Sequence, residues 1–235
     1  MSVQQLLALE PPGWGGYLLE GLLTSLQVAL AGYLLGLLIG TVGATIKRGD
    51  NLLARDLVSI YTTTVRAIPE LVLILLVYFA LPEAINQLLQ ALGLTKIEIG
   101  GFAAGVMVIA LVQGAYATEV IRGAINAIPP GHIEVAHSFG MHPFKIFYRI
   151  TLPEMLPSAL PGLSNLWLVA TKDTALLAVV GFTELTLAAR QAAGSTKHYF
   201  LFLLAAGVLY LLVTLISNQV FRYLENRTSK GARHA

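Results

Sequence analysis

Five apolar runs, at residues 18–46, 57–81, 99–121, 156–182 and 199–221, constrain this chain more than any other feature. A helix rises about 1.5 Å per residue, so roughly 20 residues cross a hydrocarbon core about 30 Å thick. Each run meets that length. Of the 235 residues, 56% are hydrophobic and only 12% charged, against roughly 25% charged in an average soluble domain. A soluble fold has too little interior for that much apolar sequence. Backbone in lipid must satisfy its own hydrogen bonds, so the runs predict five transmembrane helices in an all-α membrane protein with a single transmembrane domain, 1–235. Residues 82–98 (PEAINQLLQALGLTKIE) are shorter, amphipathic and too polar for a span, and they predict an interfacial helix.

Lysine and arginine orient the chain, because cytoplasmic loops carry an excess of them. An external amino terminus places Lys47, Arg48, Arg55, Arg122, Lys145, Arg149, Arg222, Arg227, Lys230 and Arg233 inside, ten of the fifteen. Lys96, Arg190 and Lys197 then lie outside, and Arg66 and Lys172 near or within spans. The predicted topology has a periplasmic amino terminus, a cytoplasmic carboxyl terminus and a cytoplasmic loop at 129–153. Residues 1–10 lack the basic start and small-residue cleavage site of a signal peptide, so the first span is expected to persist in the mature protein.

Several chemistries are excluded. The chain has no cysteine, which removes disulfides, zinc–thiolate sites and thiol nucleophiles. A net charge of +2, distributed by membrane side, does not suit a nucleic-acid binder. His132, His137 and His142 recur every five residues, so successive imidazoles on a helix diverge by about 140° and do not line up as metal ligands. G-x-x-x-x-G-K-[ST] and H-E-x-x-H are absent, as is G-x-S-x-G. This points away from an intramembrane enzyme and places the energy source on another chain. An ion-gradient-driven secondary amino-acid transporter is the competing class, although inverted repeats are not visible and five spans are few.

The cytoplasmic stretch reads GHIEVAHSFGMHPFKIFYRITLP, with Glu134, Ala136, Gly140, Ile150, Leu152 and Pro153 at the spacing E-x-A-x3-G-x9-I-x-L-P. That pattern predicts a helix, a glycine-permitted reversal and a second helix. Ala136 allows close approach, and Glu134 is expected in the first turn facing the helix dipole. The stretch resembles the EAA loop of ABC-importer permeases, with Val135 replacing the usual middle alanine. GLLTSLQVAL, YTTTVRAIPELVLILLVYF, YATEVIRGAINAIPPGHIE and TKDTALLAVVGFTEL extend the resemblance over nearly the whole chain, to the polar amino-acid uptake family. LPGLSNLW and AAGSTK are most similar to Q-type permease subunits of histidine, lysine-arginine-ornithine and opine importers. The resemblance implies a type I importer fold with a coupling helix in the bacterial inner membrane. It also implies two ATPase subunits carrying ATP and Mg, a second permease subunit (self or sister), a periplasmic binding protein, and a basic amino acid as cargo.

Ionisable residues at membrane depth are costly and mark candidate sites. Glu70 follows Pro69, and two readings are open: it lines a path for a cation, or it pairs with Arg66 four residues earlier. Glu119 and Arg122 have the spacing of an internal ion pair. Lys172, Asp173 and Thr174 interrupt the fourth run, so a helix break or wet cavity is expected there, with a Lys172–Asp173 pair as the alternative. The resemblance associates an acid at the Asp173 position with substrate binding in arginine permeases. Glu184, just beyond the fourth run, reads as a solvated loop residue.

Overall fold

A computed structural model describes residues 2–232, with side chains through residue 228. Lys230 and Arg233, both used to orient the chain, lie outside the described side chains. The described residues form helices and connecting turns: α1 Val3–Leu6, α2 Gly15–Arg48, α3 Leu52–Ala67, α4 Glu70–Ala91, α5 Gly101–Asn126, α6 Pro130–Ser138, α7 Pro143–Ile146, α8 Leu152–Asp173, α9 Leu185–Thr196 and α10 Tyr199–Ala232. A π-helical turn, Phe147–Thr151, joins α7 to α8, and a 3₁₀ segment, Thr174–Val180, continues α8.

Five helical stretches are long and apolar enough to cross a membrane: Gly15–Arg48, Glu70–Ala91, Gly101–Asn126, Pro143–Val180 and Tyr199–Thr228. All five overlap the predicted runs, the second only over residues 70–81. The second does not follow the expected 57–81. Pro69 disfavours helical backbone at the residue before it, and Ile68 is extended at φ −89°, ψ 137°, so α3 ends at Ala67. The apolar stretch restarts at Glu70 and passes through Pro82, which stays inside α4. No separate interfacial helix forms over 82–98: residues 82–91 belong to α4, and residues 94–100 have no helical structure.

The spine is α2 against α5, running parallel and packed more extensively than any other pair. Small residues allow this approach, the usual route to tight packing where water supplies no hydrophobic drive between helices. Gly32, Gly36, Gly40 and Gly43 meet Ile109, Gln113, Ala117 and Thr118 in register. At Gly40 a β-carbon would stand 2.5 Å from the Ala117 Cβ, so no larger residue fits without separating the helices. Helix α8 returns antiparallel along α5, and α10 packs on α8 and α9.

Helix α9 was not foreseen. Its sequence, LTLAARQAAGST, is only weakly apolar, but Leu185, Ala188, Ala189, Ala192 and Ala193 are fully buried, next to Leu18 and Phe202. An alanine face lets it lie close on α2 and α10.

Candidate functional site

Two regions carry the candidate residues, one at each end of the α8 rod. The first is the loop after α5. Helix α6 starts at Pro130, which suits a first helical position because its missing N–H would have had no partner there. Glu134 lies in the second turn of α6, not the first as expected, so its favourable placement against the helix dipole is lost. Gly140 sits at φ +67°, with its N–H donating to the His137 carbonyl at 2.9 Å and the Met141 N–H to the Ala136 carbonyl at 3.2 Å. These two bonds form a Schellman reversal, whose left-handed position glycine takes without steric cost. Ala136 is buried beneath the turn, Ile150 and Leu152 are half-buried, and Pro153 is exposed. His132 Nδ1 lies 2.8 Å from Glu154 Oε2 and ties α6 to the start of α8.

The outer surface of this loop holds four large apolar side chains: Val135, Phe139, Phe144 and Tyr148, the phenylalanines 81% and 73% exposed. Charged Glu134, Lys145 and Arg149 are exposed around them. Large apolar side chains left exposed among charged ones are the composition expected of a protein-interaction surface. The aromatic members fall outside the E-x-A-x3-G spacing, and sequence reasoning missed them.

The second region lies where α8 gives way to the 3₁₀ segment. Asp173 is buried, and Gln113 Nε2 on α5 donates to its Oδ2 at 3.3 Å. Gln113 is itself buried, and its Oε1 has no hydrogen-bond partner. Half-buried Glu70, at the start of α4, bears on the Asp173 carboxyl. Lys172 is exposed and makes no ion pair with Asp173, which removes the self-satisfied pair. Arg66 does not pair with Glu70 either, because the extended Ile68–Pro69 link separates their helices. Its guanidinium instead lies 5.8 Å from the Tyr116 ring centroid, a cation–π distance. Thr174 is buried and donates to the Thr171 carbonyl at 2.8 Å. The helix changes pitch here without breaking.

The region thus gathers two carboxyl groups and a buried amide oxygen with no ion pair drawn to either acid. The Gln113 oxygen is a buried polar atom without a partner, which costs free energy, and a donor-rich cation would satisfy it beside the two carboxyl groups. Gln113, uncharged inside an apolar run, gave no signal in the sequence.

Glu119 and Arg122 are in contact, Arg122 Nη2 lying 2.7 Å and Nε 3.0 Å from Glu119 Oε2. Lys47 joins them, its Nζ 2.5 Å from Glu119 Oε1 and 2.9 Å from Thr62 Oγ1. This network ties α2, α3 and α5 together at the loop end. Glu184, expected in solvent, is 0% exposed. It accepts from the Leu187 N–H at 2.8 Å, the Tyr210 hydroxyl at 2.9 Å and the Ser25 hydroxyl at 3.3 Å.

Residues 18–230 match the family described as binding-protein-dependent transport system inner membrane component. The chain is 40% identical over 223 residues to the histidine/lysine/arginine/ornithine transport system permease protein HisQ of Escherichia coli (strain K12), covering 95% of this chain and 98% of that one. It is 38% identical over 232 residues to the octopine transport system permease protein OccQ of Rhizobium radiobacter, covering 98% of each. The arginine ABC transporter permease protein ArtQ of Haemophilus influenzae is 35% identical over 211 residues, 90% of this chain and 93% of that one. Among solved structures, an amino acid ABC transporter crystallised with histidines superposes with a TM-score of 0.75 at 28% identity, covering 91% of this chain and 95% of that one. The MetNI methionine ABC transporter superposes at 0.67 and 18%, covering 90% and 94%, which supports the fold alone. With a type I importer permease fold and a family match over most of its length, the chain belongs to the binding-protein-dependent inner membrane components, the permease subunits of ABC importers.

Proposed function

We propose that this permease subunit forms part of the translocation path for a basic amino acid and that the 129–153 loop couples it to an ATPase subunit carrying ATP and Mg. The observation that carries the cargo is the cluster of Asp173, Glu70 and the unpartnered Gln113 oxygen. A guanidinium or ammonium group leaving water needs compensating negative charge along its route, since an unpaired buried charge costs several kcal/mol. The names of relatives that transport histidine, lysine, arginine, ornithine and octopine support this class of cargo. The exposed aromatic patch on the loop supports docking of a separate protein. A second permease subunit, self or sister, and a periplasmic binding protein complete the assembly. The basic residues at the loop end favour a cytoplasmic loop and carboxyl terminus and a periplasmic amino terminus.

The test is Asp173→Asn and Glu70→Gln made separately, with uptake of arginine, histidine and glutamine measured beside subunit abundance and ATPase copurification. Loss of a direct charge contact lowers uptake of the basic amino acids by about tenfold or more, since hydrogen bonds to charged groups contribute about 1.5–3 kcal/mol. Abundance and copurification stay at parent levels. Unchanged basic amino-acid uptake in both variants, or a parent protein that prefers glutamine, refutes the cargo. Absence of a copurifying ATPase refutes the coupling and favours an ion-gradient-driven transporter.

A further inference from the structure

We infer that the end of α10, together with the starts of α6 and α8, forms a binding site for a phospholipid with an ethanolamine headgroup, its phosphate held by Arg227 and its ammonium by Glu154. A cavity of about 590 Å³ opens where these helices meet, a size within the usual range for sites that enclose a small molecule. Ile128, Leu156 and Pro157 give it an apolar wall, and His132, Glu154 and Arg227 supply its ionisable groups. Glu154 is held by His132, whose Nδ1 lies 2.8 Å from Oε2, while Oε1 has no hydrogen bond among the described residues. Arg227 is exposed and makes no ion pair among the described residues. An unpaired guanidinium and a carboxylate with one open oxygen therefore line the same cavity.

Placement along α10 selects a lipid over a soluble ligand. The apolar run ends at Phe221, and Arg227 follows six positions later. At the helical rise that is about 9 Å beyond the hydrocarbon core, the depth of the headgroups. Ile216, Val220, Tyr223 and Arg227 recur at steps of four, three and four residues, so they share one face of α10. Ile216, Val220 and Tyr223 are all exposed. This stripe gives an acyl chain a track from the hydrocarbon core to the mouth of the cavity, where Arg227 stands. Charge then selects the headgroup. A guanidinium offers a planar fork of donors that matches a phosphate. A purely anionic headgroup would bring its charge against Glu154, whereas a primary ammonium, with three donors, complements the open carboxylate oxygen. A choline headgroup carries the same charge but no N–H to donate.

The assembled importer is purified in detergent, washed free of lipid and titrated with dioleoyl phosphatidylethanolamine, dioleoyl phosphatidylglycerol or dioleoyl phosphatidylcholine, and bound lipid is counted by native mass spectrometry. The parent should bind the ethanolamine lipid more tightly than the other two. Arg227→Gln changes an exposed side chain without an ion-pair partner, so the fold is kept, and binding of the ethanolamine lipid should weaken about tenfold, the effect of one charge-assisted contact. Glu154→Lys reverses the charge at the second contact and should turn the preference from the ethanolamine to the glycerol headgroup. Damage to the His132 link alone would weaken binding without creating a new preference, so the reversal separates the two. Unchanged binding of the ethanolamine lipid in Arg227→Gln overturns the inference, as does a parent that prefers phosphatidylglycerol or phosphatidylcholine. Glu154→Lys that weakens all three lipids without reversing the order overturns the assignment of the ammonium to Glu154. Free arginine that displaces the bound lipid overturns the inference too, because the cavity would then be a site for a soluble amino acid.

Discussion

Replacing Glu119 with glutamine removes the one anion shared by Lys47 and Arg122 while keeping volume and shape, so its effect is electrostatic. The Lys47 side chain is 10% exposed, Glu119 18% and Arg122 40%. Breaking a buried pair from one side costs about 3–5 kcal/mol, because the remaining charge is stranded. Lys47 stands near that limit, but it keeps Thr62 Oγ1 at 2.9 Å and would still meet an amide oxygen, so about 2–3 kcal/mol is a fair share. Arg122 is open to solvent and adds roughly 0.5 kcal/mol. The total, about 3 kcal/mol, is roughly a hundredfold in the folding equilibrium. Lys47→Met should cost only about 1 kcal/mol, because Glu119 keeps the two-pronged Arg122 contact and an apolar chain fills the lysine path. The assay is reversible unfolding in mixed micelles, followed by the fluorescence of Trp14 and Trp167. The double variant should be more stable than Glu119→Gln alone, since no buried lysine is left without its anion. Equal stability of Glu119→Gln and parent, or a greater loss in Lys47→Met, would refute the view that Glu119 neutralises a buried cation.

Gly140→Val places a branched side chain at φ +67° with nothing within 4 Å of the added β-carbon, so the penalty is backbone strain alone, about 1–2 kcal/mol. Membrane abundance should hold while ATPase copurification and transport fall several-fold; normal values for both would detach the loop from coupling. Gly40→Val should lower recovery of subunit by wedging α2 from α5, at about 1–3 kcal/mol for overpacking. Adding Ala117→Gly should restore part of it, and failure of that rescue in a thermal-stability assay would argue against the seam as the site of damage.

What could be read from the sequence was what is encoded locally. Span length is a one-dimensional property, so four of the five runs stand close to where composition places them. The second was misplaced because two prolines flank its ambiguity. Pro69 ends a helix at Ala67 while Pro82 stays inside α4, a tolerance of proline that is common in membrane helices and that composition does not reveal. The loop was legible because its parts lie within twenty residues of one another. Glu184 was not, because its partners Ser25 and Tyr210 stand 159 and 26 positions away and a carboxylate beside a loop looks solvated. Gln113 was missed for the opposite reason. An uncharged side chain in an apolar helix shows nothing until the residue across from it, Asp173, is known.

The two candidate regions are joined by a single helical rod, Pro143–Val180, and its irregularities fall in an order that bears on how they communicate. Pro153, Pro157 and Pro161 recur every four residues, so they share a face, and each lacks the N–H that the carbonyl four residues earlier would accept. Before the first of them the chain widens into the π turn Phe147–Thr151, where the Leu152 N–H reaches back to the Phe147 carbonyl. That longer step carries the helix past Pro153 without a break. Beyond Pro161 the rod is pinned: the Tyr33 hydroxyl donates to the Leu163 carbonyl at 3.0 Å, and Trp167 Nε1 donates to Ser217 Oγ at 2.9 Å. Bending concentrates where the hydrogen-bond ladder is interrupted, so residues 147–161 are the compliant part and residues 163–173 the stiff one. A displacement of the loop would therefore be absorbed next to the loop, and residues 163–173, with Asp173 at their end, would respond as one short cylinder held between α2 and α10.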